Sequence, residues 1–148
     1  MIDVLYCGND KVFDGALTSI LSILMRDESH DEYRFTILTM TLTRLNDAYR
    51  PISDELIEYL DKVVKRYNGE SLVRKVDVTD LYEQYLGHSP NEGCYCSPYT
   101  LLRLLADKVD DFGDRMLYLD CDIMLNRDIH LLTDIDIGEY EFAGAQDH

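Results

Sequence analysis

The segment 116–123, with the sequence MLYLDCDI, carries the strongest structural signal in the chain. A run of four mostly apolar residues is followed at once by an Asp-x-Asp pair, Asp120 and Asp122. A short apolar run of this kind is typical of a strand buried on both faces, and in α/β sheets the carboxyl ends of strands border the ligand crevice. The segment therefore predicts a fully buried strand over 116–119 with two carboxylates at its end.

Strand and helix patterns alternate through the rest of the chain. Apolar and β-branched residues predict further strands, and apolar residues at three- and four-residue spacing predict amphipathic helices. The predicted strands are 2–7, 33–40, 72–78 and 141–145; the predicted helices are 14–26, 53–68 and 100–109. The stretch 80–99, interrupted by glycines and prolines, predicts irregular structure. This alternation predicts one α/β domain with a largely parallel sheet flanked by helices.

Two polar segments follow predicted strands directly. Gly8–Lys11 comes after the first strand, and Asp120–Asp122 comes after the strand at 116–119. If these two strands are neighbours in the sheet, both segments face one crevice at its carboxyl edge. We therefore expect the functional site at this edge.

The charge of the chain limits its partners. It carries 14 Lys and Arg residues against 29 Asp and Glu residues, a net charge of −15. Such a surface repels nucleic acid and anionic lipid, because the attraction to phosphate has the wrong sign. We therefore expect no nucleic-acid partner. A phosphorylated small molecule needs local positive charge, for which a bound metal ion is the obvious source.

The Asp-x-Asp pattern occurs twice, and its surroundings distinguish the two copies. Asp134 and Asp136 lie in a turn-like segment, which predicts a helix end and a solvated loop. Asp120 and Asp122 are bracketed by apolar residues, and buried carboxylates cost several kcal/mol each unless a cation or hydrogen bonds compensate. Carboxylate oxygens suit Mn²⁺ or Mg²⁺. The alternative is a strand end whose side chains bond the backbone, and the chemistry of the residues alone leaves both open.

The cysteines give no sign of disulfides or of a metal cluster. Cys7, Cys94, Cys96 and Cys121 contain no CxxC pair, and the chain opens with an apolar strand instead of a basic-then-apolar leader. We expect reduced thiols in a cytoplasmic protein. A zinc site that combined His88 with Cys94 and Cys96 would lack an evident fourth ligand. No apolar run reaches the length of a transmembrane segment.

The segment 116–123, followed by Leu131-Leu132 and Asp136-Ile137-Gly138, resembles glycosyltransferase family 8. This family comprises retaining enzymes that use UDP-galactose or UDP-glucose. Three further parts agree with it in order and spacing, so that the resemblance runs from residue 2 to the last residue. They are 4–10, 97–104 and 142–145 with Asp147. The resemblance implies the GT-A fold, with a mixed, mainly parallel sheet flanked by helices.

The resemblance also assigns roles to individual residues. It implies that Asp120 and Asp122, with Cys121 between them, bind Mn²⁺ (or Mg²⁺) at the donor diphosphate. Arg103 matches a family arginine close to the donor, although a surface ion pair is the alternative for a helical arginine.

The first strand and its loop correspond to the family's nucleotide-binding segment. The resemblance places Cys7, Gly8 and Asn9 beside uracil and ribose, largely through backbone groups. Asn9 stands where the family often has Asp. Lys11 lies close by, and we expect it to be a solvated surface lysine.

The implied reaction is the metal-dependent transfer of a hexose from a UDP-sugar to a hydroxyl acceptor, with retention. The acceptor class is a saccharide, a lipid-linked saccharide or a protein. Family members continue beyond this length, with a third metal ligand and the acceptor site. We therefore expect residues 1–148 to be the nucleotide-sugar-binding part of one truncated domain, lacking the C-terminal acceptor half and prone to self-association through exposed apolar surface.

Two other functional classes remain open. One is a non-catalytic nucleotide-sugar-binding or interaction domain that keeps the fold. The other is a receiver-like α/β domain with an Mg²⁺-binding acidic pair, which is disfavoured because no matching lysine on a late strand is evident.

Overall fold

A computed structural model describes residues 1–90, 92–94 and 97–145 of the chain. Its strands are β1 (Ile2–Cys7), β2 (Tyr33–Thr39), β3 (Leu72–Asp77) and β4 (Met116–Tyr118). Its helices are α1 (Phe13–Leu24), α2 (Asp54–Tyr67), α3 (Thr79–Tyr85) and α4 (His130–Thr133), with 3₁₀ segments at Asp10–Val12 and Pro98–Lys108. The alternation of strands and helices predicted from the sequence is confirmed.

The four strands form one sheet in the order β3-β2-β1-β4, and all three neighbouring pairs are parallel. In this order β1 lies between β2 and β4, with Val4 opposite Phe35 on one side and Leu117 on the other. The sheet agrees with the predicted α/β architecture. It also places the carboxyl ends of β1 and β4 side by side.

Apolar side chains cover both faces of the sheet. Val4 and Tyr6 of β1 belong to a core with α1 and α2, whereas Leu5 between them belongs to a second core with α3 and the 98–108 segment. Successive residues of a strand point to opposite faces, so a strand between two helical layers is apolar throughout. This explains why β1 and β2 are mostly apolar, with the buried Asp3 of β1 paired to Arg34 of β2.

Four predictions for the second half of the chain were wrong. The stretch 80–99 contains most of α3, where Val78 and Tyr82 are buried four residues apart. The helix predicted over 100–109 is a 3₁₀ segment that begins at Pro98. The strand predicted as fully buried is β4, which lies at the edge of the sheet formed by the described strands, with β1 on one side, and its Met116 is 37% exposed.

The strand predicted over 141–145 is also absent, since residues 141–145 are exposed and without regular structure. A strand needs a neighbour for its backbone hydrogen bonds, and no described strand pairs with this segment. Cys96 and Asp147, which the sequence analysis names, lie outside the described residues. Among the described helices, none has the length and apolarity to cross a membrane.

Candidate functional site

The two polar segments identified in the sequence lie next to each other. The ladder between β1 and β4 extends one residue further, where the Leu119 amide donates to the Leu5 carbonyl at 3.0 Å. Gly8–Lys11 and Asp120–Asp122 therefore leave the sheet side by side at its carboxyl edge. This is the position where open α/β sheets bind ligands.

The segment after β1 is held in place by a backbone hydrogen bond to β2 and by the Asn9 side chain. The Gly8 amide donates to the Leu38 carbonyl of β2 at 3.0 Å. The Asn9 side chain is buried, accepts from the Lys11 amide at 3.2 Å and donates to the Ala48 carbonyl at 3.4 Å. Both ends of this amide are thus used within the protein. Lys11 itself is exposed, as predicted.

Asp120 lies at the end of β4 and is in contact with two other side chains. The Tyr118 hydroxyl donates a hydrogen bond to Oδ1 of Asp120, and an Nη atom of Arg103 lies 3.9 Å from the same oxygen. The Arg103 guanidinium also stacks on the Tyr118 ring, 5.3 Å from its centroid. Burial, together with the bond to the Asp120 carboxylate, raises the pKa of Tyr118. Tyr118 is therefore a neutral hydroxyl donor to this carboxylate at neutral pH.

Asp120–Asp122 forms a turn that packs on β1 and α1 through Cys121. The turn is closed by the Ile123 amide, which donates to the Asp120 carbonyl at 3.1 Å. The Cys121 thiol lies 3.7 Å from the Cys7 carbonyl, and burial raises the pKa of Cys121 to about 11. Burial also raises the pKa of Cys7. Both thiols are thus protonated and packed inward.

A cleft of about 240 Å³ opens beside this turn. It is lined by Asp14, Gly15 and Thr18 of α1 and by Cys121, Asp122 and Met124. The carboxylate of Asp122 thus borders a concave surface between the turn and the first two turns of α1. A small polar ligand reaching Asp122 would enter here.

The predicted burial around Asp120 and Asp122 was wrong. Asp120 and Asp122 were expected to be bracketed by buried residues, but both are exposed, and Ile123 and Met124 behind them are 43% and 67% exposed. The cost of burying carboxylates therefore does not require a cation here. The alternative of a backbone-capped strand end is not observed either, since within the described residues neither carboxylate accepts a backbone hydrogen bond.

The residues present fit a hard divalent cation in part. Two exposed carboxylates one residue apart provide the oxygen ligands that Mn²⁺ and Mg²⁺ prefer. The Asp122 carboxylate makes no hydrogen bond or ion pair to the described part of the chain, so it is free to bind. No group of three or more His, Cys, Asp or Glu residues within 1–90, 92–94 and 97–145 is arranged to hold a metal ion. Asp120 and Asp122 can therefore supply two ligands.

The second Asp-x-Asp pair has the structural role predicted for it. Asp134 caps the C-terminal end of α4, and its carboxylate lies 3.1 Å from Nδ1 of His130. Asp136 is exposed and accepts a turn hydrogen bond from Gly138 at 2.8 Å. Neither lies at a strand end. Away from the site, Cys94 is a free thiol, as are Cys7 and Cys121.

Two contributors to the site were missed in the sequence. Tyr118 was assigned only to the apolar run of the strand, although its hydroxyl reaches Asp120. The sequence pattern predicts Gly15 only as part of a helix, although a side chain there would clash with the Cys121 backbone. A glycine inside a helical pattern is a recognised sign of close packing and was the available signal.

Solved structures share this architecture, and they are those of sugar-transferring enzymes. The galactosyltransferase LgtC, in complex with donor and acceptor sugar analogs, aligns with a TM-score of 0.70 and 22% identity over 93% of this chain and 44% of its own. The bifunctional glycosyltransferase WbbM aligns with a TM-score of 0.66 and 17% identity, over 93% of this chain and 21% of its own. The chain thus has the GT-A fold and spans less than half the length of these structures.

A comparison of the sequence with known families identifies the family of the chain. The profile of glycosyl transferase family 8 matches residues 3–148, so the chain belongs to this family. The family and the fold that the sequence resemblance implied are confirmed. No curated protein sequence matches the chain significantly.

Proposed function

We propose that the chain is the donor-binding part of a metal-dependent retaining glycosyltransferase that transfers a hexose from a UDP-sugar to a hydroxyl acceptor. One observation carries this proposal: the Asp120–Asp122 turn and the Gly8–Lys11 segment leave neighbouring strands side by side, in a chain of glycosyl transferase family 8. The acceptor class follows the family resemblance and is a saccharide, a lipid-linked saccharide or a protein hydroxyl.

Asp120 and Asp122 would hold Mn²⁺ or Mg²⁺ at the donor diphosphate. When bound there, the cation supplies Lewis-acid stabilisation of the negative charge on the leaving diphosphate. The exposure of both carboxylates leaves room for phosphate oxygens beside them. The rest of the donor would lie across the adjoining end of β1.

The Cys7–Asn9 segment would contact the nucleoside. The Asn9 side chain is already bonded to Lys11 and Ala48, so we infer that this segment would contact uracil and ribose through its backbone and not through that side chain. A Cβ at Gly8 would lie 2.3 Å from a methyl carbon of Val12, so only glycine fits the turn as it stands. The glycine therefore keeps the turn after β1 packed against Val12 and fixes the course of the backbone at this edge of the sheet.

Arg103 would provide the positive charge that the donor needs. Its side chain is 42% exposed, and its guanidinium lies over the Tyr118 ring and beside Asp120 at the carboxyl edge of the sheet. A planar guanidinium matches the oxygens of a diphosphate with two parallel hydrogen bonds. The ion pair to Asp120 at 3.9 Å and the donor contact are compatible, since the remaining N–H groups are available.

The metal role can be tested on the two Asp-x-Asp pairs. Asp122→Ala removes the carboxylate that has no protein partner, so we expect the Mn²⁺-dependent binding of UDP to be lost. Asp136→Ala removes the corresponding carboxylate of the other pair and should leave binding unchanged. Isothermal titration of UDP with and without Mn²⁺ measures both. Equal losses in the two variants would contradict the assignment.

The metal-free stability of Asp122→Ala provides the control for folding. An exposed carboxylate without a partner contributes little, so the free energy of unfolding should change by no more than about 0.5 kcal/mol. Removal of one of two neighbouring like charges favours a small increase in stability.

A second candidate function is binding of a nucleotide sugar without turnover. It is favoured by the fact that the described residues provide two metal ligands and no third. Release of free sugar from UDP-glucose or UDP-galactose in the presence of Mn²⁺ and water separates the two candidates. Slow hydrolysis supports a transferase, whereas tight binding with no hydrolysis supports a binding domain.

A further inference from the structure

The first turns of α1 form a notch that receives the backbone of the Asp120–Asp122 turn. The notch is Gly15, the third residue of α1. A Cβ placed there would lie 2.5 Å from the Cys121 carbonyl oxygen, 3.2 Å from its carbonyl carbon and 3.6 Å from its Cβ. The obstacle is backbone, which cannot rotate away as a flexible side chain can.

Glycine at this position is unfavourable for the helix itself. Glycine in a helix interior costs about 1 kcal/mol relative to alanine. The helical backbone at Gly15 has no positive φ, so no conformational need explains the residue. The close approach of Cys121 does explain it, because every other residue would push the turn away from α1.

The position of Cys121 determines the positions of both carboxylates. Its thiol is packed inward, 3.7 Å from the Cys7 carbonyl of β1, and its carbonyl lies against Gly15. The residue is thereby fixed on two sides, by β1 and by α1. Asp120 and Asp122 flank it directly and are both exposed at the surface of the same turn.

We propose that Gly15 is a positioning residue for the carboxylate pair: its lack of a side chain lets α1 hold Cys121 in place and so sets the geometry of Asp120 and Asp122. This inference rests on the proposed function insofar as the pair binds the metal of the donor complex. Gly15 touches neither metal nor donor in this role. It acts through the Cys121 backbone.

Gly15→Ala tests the proposal, because alanine is the better helix former and adds one methyl group at the contact. Relief of a 2.5 Å contact to an ordinary separation requires the turn to move by about 1 Å. Mutation of the groups that orient metal ligands commonly weakens metal binding 10- to 100-fold, and displacement of the whole turn should act in the same direction, so we expect the Mn²⁺-dependent affinity for UDP to fall about tenfold. Gly69→Ala is the matched control, since nothing lies within 4 Å of a Cβ there.

A second measurement does not depend on metal or donor. Displacement of the turn uncovers the Cys121 thiol, so its alkylation by a maleimide, followed by peptide mass spectrometry, should be faster in metal-free Gly15→Ala than in the wild type or Gly69→Ala. Unchanged labelling of Cys121 in Gly15→Ala would overturn the proposal. Faster labelling with unchanged Mn²⁺–UDP affinity would also overturn it, since the turn would then move without consequence for the pair.

The same experiments distinguish a failure of the proposed function from a failure of the positioning role of Gly15. If wild-type protein binds no UDP in the presence of Mn²⁺, the donor function fails, while faster Cys121 labelling in Gly15→Ala still supports the contact between Gly15 and the turn. A lower thermal midpoint of metal-free Gly15→Ala with unchanged Mn²⁺–UDP affinity would indicate a purely structural glycine and overturn the positioning role.

Discussion

At the scale of single residues, the carboxylate of Asp120 is the most constrained group of the site. Tyr118 and Arg103 both act on its Oδ1 atom, one through a hydroxyl hydrogen bond and the other through a guanidinium 3.9 Å away. Its Oδ2 atom is left for other ligands. Hydrogen bonds to a carboxylate restrict its orientation, and such outer contacts commonly strengthen a metal site.

Tyr118→Phe removes the hydroxyl and keeps the ring on which Arg103 stacks. A hydrogen bond to a charged group contributes about 1.5–3 kcal/mol when well shielded and less in an exposed site such as this one. We therefore expect the Mn²⁺-dependent affinity for UDP to fall roughly threefold to tenfold. Titration calorimetry measures this, with Tyr59→Phe on the exposed face of α2 as control. An unchanged or higher affinity would show that the hydroxyl does not support metal binding.

The residues of the site divide according to how far the sequence could predict them. Asp120 and Asp122 were predicted from a motif at a strand end and Arg103 from the family resemblance, and the structure places Arg103 beside Asp120. The roles of Gly15 and Tyr118 were not predicted, since each depends on a contact between distant parts of the chain. Local periodicity contains no information about which helix turn meets which loop.

At the scale of elements, α4 is connected to the loop before β2 by polar contacts at the opposite end of the sheet from the carboxylate pair. The carboxylate of Asp128 accepts from the Glu28 amide at 3.0 Å, and Nε2 of His130 lies 2.8 Å from Asp31. Nδ1 of His130 lies 3.1 Å from Asp134. A four-residue helix has little stability of its own, so these contacts hold it in place.

The same contacts make stability depend on pH. The hydrogen bonds to Asp134 and Asp31 raise the pKa of His130 to about 9, from 6.5 in the unfolded chain. Because protonation is favoured in the folded state, this contribution to stability is fully present below pH 6.5 and is lost as the pH rises to 9. We expect the thermal midpoint to fall by a few degrees across this range.

Calorimetric melts between pH 6 and pH 9.5 measure the effect. His130→Asn should flatten the pH dependence, because it removes the titrating group. His88→Asn should leave it unchanged, since His88 has a positive φ that asparagine tolerates and lies outside the α4 contacts. A slope in His130→Asn equal to that of the wild type would show that another group titrates in this range.

The helices and strands that pack against a buried core were predicted accurately from the sequence. The strands β1 and β2 and the helices α1 and α2 were predicted within a few residues because their apolar patterns face packed cores. The segment 141–145 was predicted as a strand from the same residue types but is exposed and has no described partner strand. Composition alone cannot reveal whether a neighbouring strand exists.

At the scale of the whole molecule, the negative charge opposes self-association and the exposed apolar side chains favour it. The net charge of −15 favours separate molecules by repulsion. Yet eight of the fifteen large hydrophobic residues that are exposed in the described part of the chain lie from Met116 to Phe142, among them Tyr140 at 79% and Phe142 at 84%. Contiguous exposed apolar surface favours association, and we therefore predict that this part of the sequence is where copies of the chain would associate.

Because salt screens the repulsion and leaves the apolar attraction, we expect self-association to increase with ionic strength. Sedimentation velocity at about 0.05 M and about 0.5 M NaCl should show a larger sedimenting species at the higher salt concentration. The double variant Tyr140→Ser with Phe142→Ser should reduce it, whereas Tyr85→Ser on α3, at 53% exposure, should not. A monodisperse monomer at both salt concentrations would refute association through this segment.

Binding of UDP with Mn²⁺ should stabilise the folded chain independently of self-association. UDP with Mn²⁺ binds only the folded state in the proposed function, so it raises the thermal midpoint by mass action. The described residues supply two metal ligands and no third, so we expect the increase to be small and to require both components. Differential scanning calorimetry of wild type and Asp122→Ala, with UDP alone, Mn²⁺ alone and both together, measures this.

An increase with both ligands that disappears in Asp122→Ala supports the donor site at the carboxyl edge of β1 and β4. An increase that persists in Asp122→Ala would place the binding site elsewhere on the chain, and no increase in the wild type would contradict the donor-binding function.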